Sequence, residues 1–166
     1  MQRDEKCLAC GQADEGQTHT CECPVLRREY WKHFLRILKD TGTPVPPDGE
    51  VTALLAVGRL SDTQMISNES SGVLFAAWRA LYAEIIRSRI EETRPNWRRA
   101  ARRGVGLLMN RLVARGEFWR HWYKSIYRTS RRQLFPKNHQ DHPLMHIDDE
   151  AYYTLHPALQ AAYDDI

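Results

Sequence analysis

Cysteine is absent from this chain after residue 23. No disulfide can therefore staple the long remainder, and the four cysteines must be read together at positions 7, 10, 21 and 23. Long apolar runs are missing as well. Nothing in the sequence approaches the roughly 18 apolar residues of a membrane-spanning helix, so no membrane partner is expected. Met1 to Lys6 are largely charged and lack the apolar stretch of a secretory signal. An intracellular protein is expected, nuclear or cytoplasmic, where thiols stay reduced and bind metal more readily than they pair. Period-two alternation and internal repeats are also missing, which argues against strand-rich and solenoid folds.

The cysteines have metal-ligand spacing. Cys7 and Cys10 form C-x2-C, and after eight residues His19 and Cys23 form H-x3-C. Two cysteines two residues apart sit on one tight turn and can aim both thiolates at one point. A His and a Cys on one short helical turn then complete a closed tetrahedral set of nitrogen and sulfur donors. Soft thiolates and a borderline imidazole suit Zn2+ over calcium or magnesium. Cys21 competes for the fourth place, but one residue between it and His19 is cramped for a single ion, so Cys23 is preferred.

The rest reads as mainly helical: a small zinc-binding N-terminal module packed on a helical domain with two long helices and an irregular C-terminal tail. Pro24 suits the first turn of a helix, where a missing N–H costs nothing. Leu26, Tyr30, Phe34 and Leu38 make its stripe, Trp31 and Leu35 widen it, and Gly42 suits its end. Residues 43–49 read as a Pro-rich linker or turn cluster, and a short helix is expected at 50–57. Ser70 or Ser71 can cap a long helix to about Thr93, burying Leu74, Trp78, Leu81, Ile85 and Ile86. Pro95 fits the first turn of a second, over about 96–128, on the spacing of Trp97, Ala101, Val105, Leu108, Leu112, Trp119, Trp122 and Ile126. Gly104, Gly106 and Gly116 weaken it, and a bend or break is expected near Gly116. A last helix is expected at 157–163. The expected units are 1–42, the zinc module and first helix; 43–135, the helical domain; and 136–166, an acidic, His-rich tail.

Cys7-x2-Cys10-Gly11, then Asp14-Glu15, His19, Cys23-Pro24 and a later Trp31 together resemble the zinc-binding segment that follows the reverse transcriptase domain of non-LTR retroelements. The likeness covers residues 7–31. Gly16 stands where that family usually has Thr, and the gap from His19 to Cys23 is one residue shorter than usual. Phe75-Ala-Ala-Trp78-Arg79-x2-Tyr82 is similar to the helical region downstream of that segment. The resemblance implies a nucleic-acid-associated module of a retroelement polyprotein, or of a reading frame derived from one.

Charge is unevenly placed behind a net value of only +3. Residues 94–132 hold 12 Lys/Arg against the single acid Glu117, between two blocks in which acids predominate. Arg98, Arg99, Arg102, Arg103, Arg111, Arg115 and Arg120 fall mostly off the apolar stripe, and Arg131 and Arg132 extend the run. Such a face can neutralise several phosphates, which predicts RNA or single-stranded DNA as partner. The alternative is a protein-interaction module whose basic helix docks on an acidic partner. Trp119, Trp122, Tyr123 and Tyr127 interleave with the arginines, and their spacing fits core better than base stacking.

Three fragments are discounted as catalytic. His139, Asp141, His142, His146, Asp148 and Asp149 lack a helix to fix them, since Pro143 interrupts. Tyr163-Asp164-Asp165 lacks the following strand that a polymerase metal pair needs. Asp48 with Asp62 belongs on strands in restriction-like nucleases, and no Lys follows to complete that element. No complete polymerase or nuclease motif is present, so binding rather than catalysis is expected.

Overall fold

Helix starts and stops in this computed structural model follow local backbone chemistry. It describes residues 6–12, 16–43, 68–127, 143–147 and 153–166. Five helices and one two-stranded sheet are found among them. The expected linker at 43–49, apart from Thr43, and the expected helix at 50–57 lie outside the described residues. So do Asp48, Asp62, Arg131, Arg132, His139 to His142, Asp148 and Asp149.

Helix α1 is Gln17–Glu22. Helix α2 follows at once, through Pro24–Leu26, a π-helical turn Arg27–Trp31, and Lys32–Asp40. Pro24 takes the first helical position, as its fixed φ favours. The helix ends at Gly42, whose φ of +63° suits a residue without a side chain. Gly42 N–H donates to Lys39 O at 3.1 Å and Thr43 N–H to Leu38 O at 3.0 Å. This pair of bonds satisfies two carbonyls that the helix end would orphan.

Helix α3 is Asn68–Ile90, so it begins before the two serines expected to cap it. Helix α4 is Trp97–Tyr127. Its N-cap is Asn96, whose Oδ1 accepts from Arg99 N–H at 2.8 Å, so Pro95 precedes the helix rather than opening it. The buried Glu84 carboxylate also accepts the Asn96 N–H, at 2.7 Å, and binds Arg87 at 2.6 Å and Arg99 at 3.2 Å. Burial alone would raise Glu84; the hydrogen bonds from Arg87 and Asn96 and the charge of Arg99 outweigh it and hold the carboxyl below its ordinary range.

The expected break at Gly116 does not occur: α4 is continuous through it. A Cβ at Gly116 would stand 2.5 Å from the Tyr153 ring, and one at Gly104 would stand 2.6 Å from Phe34 Cζ and 3.2 Å from Ala80 Cβ. Both glycines admit a neighbouring side chain. Among the described residues, the tail also carries a short sheet that was not expected. Strands β1 (Met145–Ile147) and β2 (Tyr153–Leu155) pair antiparallel, with His146 opposite Thr154. Three residues per strand are too few for an alternation to be read in sequence. Helix α5, Pro157–Asp165, is capped by His156, whose Nδ1 accepts from Ala158 N–H at 3.1 Å.

A single cluster of buried side chains joins these elements, from Cys7 through Tyr30, Trp31, Phe34, Leu74, Trp78, Leu81, Val105 and Leu108 to Leu144, Leu159 and Ile166. Tyr30, Trp31 and Phe34 are wholly buried. Each removes about 150–250 Å² from water, stabilising the fold by up to about 4–6 kcal/mol. Ile86, expected in this core, is instead 56% exposed, as are Phe75, Tyr82 and Ile90 in good part. No helix among the described residues is long and apolar enough to cross a membrane.

Substituting Gly104→Ala should destabilise the protein by about 1–3 kcal/mol, because buried Phe34 cannot yield. Gly72→Ala, with open space around it, should instead stabilise by about 0.5–1 kcal/mol. Urea denaturation of both variants checks the contrast. Glu84 has a depressed folded pKa, so its contribution is present above the unfolded carboxylate value and is lost as pH falls through the folded one. Glu84→Gln should therefore flatten the acid limb of stability against pH, and an unchanged limb would show that this carboxylate does not govern it.

Candidate metal centre

The C-x2-C turn is closed by Gly11 N–H donating to Cys7 O at 2.8 Å. Gly11 has φ +70°, a left-handed backbone that a side chain would strain, which accounts for the glycine directly after the second cysteine. Helix α1 supplies His19. Its backbone then turns at Cys23, whose N–H donates to His19 O at 2.6 Å and whose own carbonyl accepts Arg27 N–H at 2.9 Å. Cys23 thus ends one helix and caps the next, and its place is fixed from both sides.

The donor atoms of Cys7, Cys10, His19 and Cys23 all lie within 4.8 Å of one another. Cys7 Sγ is 4.0 Å from Cys23 Sγ, and Cys10 Sγ is 3.3 Å from His19 Nε2. Around a tetrahedral ion with bonds of about 2.3 Å to sulfur and about 2.0 Å to nitrogen, donors stand about 3.5–3.8 Å apart. The cluster fits a single metal ion. Cys7 and Cys23 are buried while Cys10 and His19 are half-buried, so water has little access. Burial pushes the Cys7 thiol up to about 11, so in the free protein this donor holds its proton until a cation displaces it. None of the four cysteines is in a disulfide.

Cys21 is not part of the cluster. Two residues along a helix is a rotation of about 200°, so Cys21 faces away from His19 and into the core, wholly buried. There burial pushes its thiol up to about 12, the behaviour of an inert packing group.

The expected arginine face is distributed around α4. Arg98 donates from Nε to the backbone oxygen of Ile166. Arg99 reaches Glu84 through Nη2. Arg102 lies over the Tyr163 ring at 4.6 Å from its centroid, and Arg111 over Phe75 at 5.2 Å. Arg103 and Arg115 are exposed. Arg120 belongs to α4 by its backbone; its side chain, like those of Trp119, Trp122, Tyr123 and Tyr127, lies outside the described residues. Glu117, the acid within the basic block, accepts from Tyr153 OH at 2.9 Å.

Tyr163-Asp164-Asp165 has no catalytic arrangement: Asp165 pairs with Arg36 at 2.7 Å and Asp164 accepts from Gln160 at 2.9 Å. Sequence reasoning missed Glu84 and Tyr163 as neighbours of the basic helix. Only the helical pattern at 157–163 hinted that Tyr163 had a face to present.

Cys10→Ser should lose bound metal and loosen α1 and the start of α2, whereas Cys21→Ala should keep its metal at a modest cost in stability. Metal stoichiometry by mass spectrometry separates them. Full metal in Cys10→Ser, or its loss from Cys21→Ala, would defeat this ligand set. No known family, curated protein or solved structure matches this chain.

Proposed function

We propose that this chain is a zinc-stabilised nucleic-acid-binding module, derived from the segment that follows a retroelement reverse transcriptase. The observation that carries the binding reading is the set of exposed arginines distributed around α4. Arg98, Arg99, Arg102, Arg103, Arg111 and Arg115 are all exposed there, and the one acid of the block, Glu117, is engaged by Tyr153. Zinc is the metal that three thiolates and one imidazole in a closed tetrahedron favour. Its role is structural, since four protein donors leave no open position for a reacting water. It would set the junction of α1 and α2 and so seat the module against the helices. RNA or single-stranded DNA is the favoured partner, with phosphates meeting guanidinium groups.

A second reading has its own support. Phe75, Ile86 and Ile90 are 48%, 56% and 76% exposed on α3, and Arg111 covers Phe75. A mixed basic and apolar surface of this kind suits an acidic protein segment.

Binding of fluorescent single-stranded RNA, single-stranded DNA and duplex DNA to the zinc-loaded protein, titrated with salt, tests the choice. Log affinity should fall linearly with log salt. Replacing Arg98, Arg99, Arg102 and Arg103 with Gln should reduce that slope by about 3, from about 0.7–0.9 per phosphate contact. Circular dichroism serves as the folding control. An unchanged slope moves the contact surface elsewhere, and no binding at low salt favours the protein-interaction reading.

A further inference from the structure

One side of α4 carries a shallow basin lined by Arg99, Arg102, Arg103, Gly106, Leu107, Asn110 and, from α5, Tyr163. Its volume is about 330 Å³, at the small end of the roughly 300–1,000 Å³ that small-ligand sites occupy. The lining is chemically divided. Three guanidinium groups crowd one end, no lining residue is acidic, and Gly106 and Leu107 make an apolar floor.

The walls are held in place. Arg102 stacks over Tyr163, so ring and guanidinium fix each other. The Tyr163 ring edge, Cε2, stands 3.6 Å from where a Cβ on Gly106 would be, so any larger side chain at 106 would fill the basin. Arg99 uses Nη2 on Glu84, which orients its guanidinium without covering it: the side chain stays 56% exposed. Arg103 is exposed beside it. Asn110 closes the far end with an amide, which can donate and accept at once.

We propose that this basin takes one unpaired nucleotide of a single-stranded nucleic acid, with its phosphate against Arg99 and Arg103 and its base on the Gly106 and Leu107 floor beside Tyr163. Asn110 then meets the hydrogen-bonding edge of the base. The size admits one nucleotide and no more, and a base still paired in a duplex could not enter. This deepens the nucleic-acid reading above and rests on it.

Zinc-loaded protein, isotope-labelled for NMR, is titrated with adenosine 5′-monophosphate and separately with inorganic phosphate. The nucleotide should shift the signals of Gly106, Leu107, Asn110 and the Tyr163 ring, and should bind about five- to 150-fold more tightly than phosphate, the range one stacked base supplies. Asn110→Asp, an exposed change that adds a carboxylate to the basin, should weaken nucleotide binding at least tenfold with metal content and circular dichroism unchanged. Equal affinity for phosphate and nucleotide, or shifts away from these residues, would overturn the assignment. Salt-steep binding of a single-stranded oligonucleotide with the basin signals unmoved would overturn it too, yet leave the nucleic-acid reading standing. If neither oligonucleotide nor nucleotide binds, both fall together.

Discussion

The pairing of Tyr30 with Trp31 is the contact on which the arrangement depends. The two rings meet edge to face at 5.1 Å, wholly buried, and each uses its polar atom in a different direction. Trp31 Nε1 donates to Thr20 O in α1 at 2.9 Å, and Tyr30 OH donates to Ala77 O in α3 at 2.5 Å. Trp31 also meets Trp78 of α3 at 5.0 Å. One dipeptide thereby ties α1, which carries His19, to the long helices. Unmade, either hydrogen bond would leave a buried side-chain donor without its partner, at a cost of about 1–3 kcal/mol. The metal cluster and the helical core are continuous through these two side chains.

Helix α4 serves two surfaces at once. Its inner side is built of small residues, Ala100, Ala101 and Gly104, followed by Val105, Leu108 and Leu112. Small residues let α3 and α2 come close; the larger ones fill the space beyond. The arginines are spread over the rest of its surface, and several are oriented by groups of the same molecule: Glu84, Tyr163, Phe75 and the backbone of Ile166. Such contacts restrict long, flexible side chains in advance, so less rotamer entropy remains to be lost when an anion arrives.

Much of this was legible in the sequence, because metal spacing and helical period are local signals. Cys7, Cys10, His19 and Cys23 could be chosen from their gaps alone, and the rejection of Cys21 follows from helical rotation. The stripe of Leu26, Tyr30, Phe34 and Leu38 gave α2, and its ends at Pro24 and Gly42 came with it. What failed depended on distant partners. Gly116 looks like a helix breaker until Tyr153, far along the chain, is seen to lie against it. Ile86 fits the α3 period but falls beyond the edge of the covering elements. The short strands carry too few residues to announce themselves. The clustering of arginines was visible in the sequence, but which of them stack or pair was not, since those partners come from α3 and α5.

The π-helical turn at Arg27–Trp31 sets how the Cys/His cluster is wound relative to everything after it. Adjacent residues of an ordinary helix point about 100° apart, so each residue gained or lost in this turn dials the upstream segment around the helix axis by a comparable angle. Tyr30 and Trp31 reach α3 and α1 together only at one setting of that dial. The chain between Cys23 and Phe34 is therefore a vernier. It should tolerate changes of residue type on its exposed side, at Arg28 or Lys32, far better than the insertion or deletion of a single residue, which would swing the cysteine turn off the core while leaving its ligand spacing intact.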